Sequence, residues 1–236
     1  MDPRCERIVA QVYVARVIDV IVEEGSKRVF ASAVEWPGWA RSGKTEAEAL
    51  AALSAYAPRY MRAVGAKFGL KAPKDASAFR VVERLHGNAT TDFGAPGVSG
   101  KTDAIPVSAT DLIRMRALLI AGWTAFDKGV SVAKGKTLAK GPRGGGRSLT
   151  AIVEHVRAAE AGYLSGLGAP LRTSARGKAL IDATRSAAID AIGASARGQI
   201  PAKGPRGGVR WKARFFLRRD MWHTLDHLWE IEDRAG

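Results

Sequence analysis

The sequence predicts a small α+β unit followed by an all-α four-helix bundle. Three observations lead to this. Val- and Ile-rich runs bounded by turn residues dominate the first 86 positions, around one helical segment. From residue 107 onward, apolar residues recur at helical spacing instead. Between the two, residues 87–106 are rich in Gly, Asn, Thr, Ser and Pro, the composition of a linker. A chain of 236 residues, 46% of them hydrophobic, has the material for two packed cores.

Taken in order, residues 8–22 (Val9, Val12, Val14, Val17, Val20, Val22) and 29–34 read as strands, separated by the turn-like Glu24-Gly25-Ser26. Thr45 opens a helix with Glu48 three residues on, a capping box ahead of Ala49, Leu50 and Leu53. That helix should run to about Val64 and be kinked or split by Pro58. Residues 79–85 form one more strand, giving the order strand, strand, helix, strand. In the second unit, Thr110 is the expected N-cap of a helix through Phe126, with Leu112, Met115, Leu119, Trp123 and Phe126 along one face. Ser148 caps a second helix, striped by Ile152, His155, Ala159 and Tyr163. Residues 180–195 make a third helix and 212–234 a long fourth. Long connections between four helices fit a bundle with crossovers.

Charge divides the same way. Of 37 Lys and Arg against 23 Asp and Glu, residues 1–100 carry 14 and 11, leaving 23 and 12 for residues 101–236. A net +11 half favours anionic partners, nucleic acid among them, without selecting one. No apolar run is long enough to span a membrane. The single Cys5 excludes a disulfide framework and a thiolate-rich zinc site, so the expected location is the cytoplasm. Residues 38–45 formally match a P-loop, but the parallel sheet and magnesium-binding Asp strand of such a fold are missing downstream.

One segment is repeated. Residues 139–145 (AKGPRGG) recur as residues 202–208, and each copy precedes a helix. Lys140, Arg143, Lys203 and Arg206 are therefore candidate anion-binding residues, with backbone N–H groups and a helix N-terminus behind them. The alternative is a solvated connector in each case.

The histidines point to a metal. His223 and His227 are four apart and share one helix face, and His155 lies on the inward stripe of the second helix. If the second and fourth helices run antiparallel, all three reach the same depth, roughly 10 Å from a bundle end at ~1.5 Å per residue. Three imidazoles plus an open position suit a divalent ion, zinc or nickel above all. Asp226 and Glu230 are candidates to accept the outer N–H of a ligating ring. His86 and Cys5 carry no such pattern.

Residues 149–155 (LTAIVEH) with Glu160 and Tyr163, and the closing residues 222–234 (WHTLDHLWEIEDR), resemble the DinB-like superfamily, also called DinB/YfiT-like. The resemblance covers about residues 107–236. It implies an up-down-down-up four-helix bundle with His155, His223 and His227 as metal ligands. It also implies an enzyme of the thiol-dependent transferase or hydrolase class, with a low-molecular-weight thiol as co-substrate and a small-molecule substrate. Residues 36–50 (WPGWARSGKTEAEAL) are similar to the HicB-like antitoxin fold over roughly residues 8–86. That resemblance implies a toxin-binding unit and supplies the rival function, a non-enzymatic antitoxin-like or nucleic-acid-associated protein. A homodimer is compatible with either function.

Overall fold

The structure is a computed structural model that describes residues 17–141 and 146–236. The chain divides into two units, Met1–Ile105 and Pro106–Gly236. The first holds a mixed four-stranded sheet and the second is helical. No helix of the described residues is long and apolar enough to cross a membrane.

In the first unit, β1 (Ile18–Glu24), β2 (Val29–Ala33), β3 (Ala40–Gly43) and β4 (Phe79–His86) lie in the order β3-β2-β1-β4. The first three pair antiparallel, and β4 returns parallel to β1. The run expected over residues 8–22 contributes β1, and its residues before 17 lie outside the described ones, as does Cys5. β3 was not expected, because Ala-Arg-Ser-Gly has no β-branched residue. It forms because Gly38, at φ +89°, turns the chain back so that Trp39 N–H reaches Trp36 O at 3.0 Å. This strand occupies the interior of the P-loop-like stretch, and Gly43 sits opposite Val29 in the sheet.

The expected capping box exists in altered form. Thr45 Oγ1 accepts from Glu48 N at 3.2 Å, while the Glu48 carboxylate reaches one residue further back, to Lys44 N at 2.7 Å. The helical segment splits at Tyr56 into α1 (Glu46–Ala55) and α2 (Ala57–Ala63), with Pro58 in the first turn of α2, where it loses no hydrogen bond. Trp39 anchors this core. It stacks on Tyr60 at 5.5 Å, meets Phe79 edge-on, and donates its indole N–H to Leu53 O at 2.8 Å.

Residues 87–104, read from composition as part of a linker, instead fold onto this sheet. Asn88 caps a short helix, α3 (Ala89–Phe93), whose Asp92 accepts from Ser26 Oγ and Lys27 N. Buried Glu23 on β1 accepts from Thr91 Oγ1, Gly97 N and Val98 N, and Glu83 on β4 accepts from Lys101 and Thr102. Two sheet carboxylates thus satisfy the N–H groups of a turn-rich segment, and the boundary falls at Ile105 rather than residue 86.

The second unit contains α4 (Ala109–Ala133), α5 (Leu149–Leu167), α6 (Gly177–Ala196) and α7 (Ala213–Ala235). The cap of α4 is Ser108, not Thr110: Ser108 and Asp111 exchange side-chain-to-backbone bonds, with the shorter Asp in the place of the usual Glu. Ser148 caps α5 as expected. Paired residues give the helix directions. Asp111 meets Arg214, so α4 and α7 start together. Trp211 N donates to Gly166 O and Arg234 donates to Arg147 O, so α7 runs antiparallel to α5. Arg185 meets Asp127 and Arg116 meets Ile189 O, so α6 is antiparallel to α4. Leu118, Leu119, Ile152, Leu164, Phe215, Phe216 and Trp229 fill the interior. α7 is buried along most of its length and takes Arg218, Asp220, His223, Thr224, His227 and Arg234 inside with it. Buried polar groups in that number need partners within the protein.

Candidate metal centre

α5 brings His155 to the centre from its second turn, and α7 brings His223 and His227 on one face. Antiparallel packing places them at one level. One ring nitrogen from each falls within 4.8 Å of the others. His155 Nε2 and His223 Nε2 are 3.1 Å apart. Two bonds of about 2.0–2.1 Å at a tetrahedral angle require ligand nitrogens about 3.3 Å apart, so this pair already has near-ligand spacing. The three rings stand roughly edge to face, with centroids 4.6–4.9 Å apart. His223 and His227 are buried, and His155 is half-buried.

Outer contacts orient His227. Its Nδ1 is 2.7 Å from Glu230 Oε2, which leaves Nε2 for an ion. Glu230 Oε1 accepts from Arg234 Nη1 at 2.6 Å. Arg234 is in turn fixed by Ala139 O and Arg147 O, both at 2.8 Å, in the connection leading into α5. Gly146, at φ +153°, has no Cβ to collide with that guanidinium. Asp226, the other candidate acceptor, is half-buried on the same helix, but the oxygen on His227 Nδ1 belongs to Glu230. Sequence reasoning missed Arg234, although its i,i+4 spacing from Glu230 was a usable signal.

Electrostatics favour neutral imidazoles. Burial, then His227, His155, Arg219 and Arg147, push the His223 ring down to about 2. Burial and Arg147 also lower His155, with Glu230 pulling the other way. Metal ligation requires the deprotonated ring, so these shifts prepare it. Three neutral imidazoles are a borderline donor set that fits zinc or nickel and leaves an ion's charge undiminished.

Aromatic residues wall one side. Tyr163 meets the His223 ring edge-on at 5.8 Å and packs on Trp211 at 5.4 Å. Arg219 lies over both Tyr163 and Trp222, at 5.4 and 4.8 Å.

The remaining candidates lie elsewhere. His86 is exposed at the end of β4 in the first unit. Lys140 is exposed beside Ala139, and Arg143 lies outside the described residues. The second repeat copy closes on itself: Gly204 N donates to Gly208 O, Gly207 N to Gly204 O and Arg210 N to Ala202 O. Those amides are turned inward, so the exposed side chains of Lys203 and Arg206 are what this loop presents to an anion.

No protein-family model, no curated protein and no solved structure matches this chain.

Proposed function

We propose that the helical unit is a DinB-like metal centre in which His155, His223 and His227 hold one divalent ion, zinc or nickel. The reading includes an up-down-down-up bundle, in keeping with α4 and α7 running one way and α5 and α6 the other. The observation that carries it is the convergence of three imidazole nitrogens from two antiparallel helices, one of them already held by a Glu230–Arg234 pair.

The proposed activity is a metal-dependent transfer or hydrolysis in the cytoplasm, with a low-molecular-weight thiol as co-substrate. A bound ion would lower the pKa of a coordinated thiol or water and polarise a carbonyl. The chain's own residues supply the rest. His155 and His223 stay unprotonated through the neutral range because of burial and neighbouring positive charge. Arg147 and Arg219 add positive charge around the centre, which favours an anionic ligand such as a thiolate. Tyr163 and Trp211 cover one flank and limit water there.

Cobalt substitution tests this reading. Titrating the cobalt-loaded protein with a low-molecular-weight thiol should produce a sulfur-to-metal charge-transfer band. A spectrum unchanged by thiol removes the thiol from the proposal and leaves water activation. Failure to take up cobalt at all removes the metal centre.

A further inference from the structure

The helical unit contains a second ionisable cluster that the histidine centre does not use. Glu160 on α5 and Asp220 on α7 are 5% and 1% exposed. Both are pushed toward the protonated form by burial first; the Glu160 carboxylate then adds to the effect on Asp220, while Asp127 is the acid that acts on Glu160. The ionisable and polar groups facing them are Trp123 and Asp127 from α4, Arg157 and Tyr163 from α5, and Arg185 from α6.

Counter-charge is short. Arg185 acts on both carboxyl groups, yet its guanidinium is engaged by Asp127 through two bonds of 2.6 and 2.9 Å. Arg157 is exposed to solvent. Hydrogen bonds are short as well. Asp220 Oδ2, Thr224 Oγ1 one turn along and Arg185 Nε are buried and close no hydrogen bond among the described residues, and the buried Trp123 indole N–H is directed at both carboxyl groups without closing a well-formed bond to either. An ionised carboxylate pair in that setting would combine like-charge repulsion with an unsatisfied buried acceptor. A proton on one carboxyl group removes the repulsion and converts an acceptor into a donor.

We propose that Glu160 and Asp220 form a buried acid pair that keeps one proton between them at neutral pH, a proton store beside the histidine centre. The pair sits on the two helices that carry the histidines. Glu160 follows His155 by five residues and Asp220 precedes His223 by three, axial offsets of about 8 and 5 Å. Burial pushes Glu160 up to about 7 and Asp220 well above the carboxylate range, and Arg185 opposes both. The proton leaves to solvent base as pH rises past neutrality. It does so without any change in metal occupancy, because neither carboxyl group is among the proposed ligands.

Infrared difference spectroscopy on the full chain tests this, since a protonated carboxyl group has its own carbonyl stretch. Wild type should show that band at pH ~6, where solvated carboxylates are ionised, and the band should weaken as pH rises past neutrality, where Glu160 gives up its proton. Glu160→Gln combined with Asp220→Asn should abolish the band and leave metal content unchanged. Absence of the band from wild type at pH ~6 overturns the proposal, as does a band that survives in the double variant. If the double variant does not fold, the wild-type titration alone decides, because a missing or non-titrating band refutes a shared proton.

Discussion

Glu230→Gln isolates what the outer contacts contribute to the proposed metal centre. In the wild type, one carboxylate holds two partners: His227 Nδ1 at 2.7 Å and Arg234 Nη1 at 2.6 Å. The amide keeps the size and one acceptor oxygen but removes the charge, so it can orient the imidazole or hold the guanidinium, not both. Loss of such an orienting partner typically weakens metal binding 10–100-fold, equivalent to about 1.4–2.7 kcal/mol. Competition with a chromophoric zinc chelator at constant pH and salt measures this directly. Arg234→Ala should fall in the same direction by a smaller factor, because it leaves the carboxylate in place but frees it to move. Unchanged zinc affinity in Glu230→Gln would refute the argument that Glu230 fixes the His227 tautomer.

Two other outcomes follow from the same structure. Residues 106–236 expressed alone should be folded and predominantly helical by far-UV circular dichroism, since Leu118, Ile152, Leu164, Phe216 and Trp229 form a core within that unit; a coil spectrum would contradict this. The lowered proton affinity of His155 and His223 predicts that acid releases the metal below pH ~6.5, the range of a free imidazole, because protons compete less well for these rings; metal retained after dialysis across a pH series measures it, and half-release at or above that range would contradict it.

Local chemistry made much of the fold legible. Thr45 and Ser148 were readable as caps because a cap is decided by a hydroxyl and the residues just after it. The break near Pro58 was readable for the same reason. Non-local pairing was not. Ala40–Gly43 becomes a strand only because Pro37-Gly38 turns it against β2, and nothing in Ala-Arg-Ser-Gly itself encodes that. Residues 87–104 have linker composition, and their order comes from Glu23 and Glu83, distant in sequence and indistinguishable there from solvated acids.

The histidine cluster was legible because two of its members sit four apart and the third lies on an apolar stripe. Glu160 and Asp220 were not. An acid in an amphipathic helix reads as solvated, and only the packing of all four helices takes these two to the interior. Arg147 and Arg219 gain their meaning from the rings that packing places beside them.

Metal content measured by elemental analysis tests the central claim most directly, on untagged protein dialysed after exposure to zinc or nickel. Wild type should retain one ion per chain. His223→Ala and His227→Ala should retain none, and His86→Ala, altered in the first unit, should match wild type. Wild-type protein that stays metal-free after both metals are supplied in excess, or a His223→Ala variant that still holds one ion per chain, would contradict it.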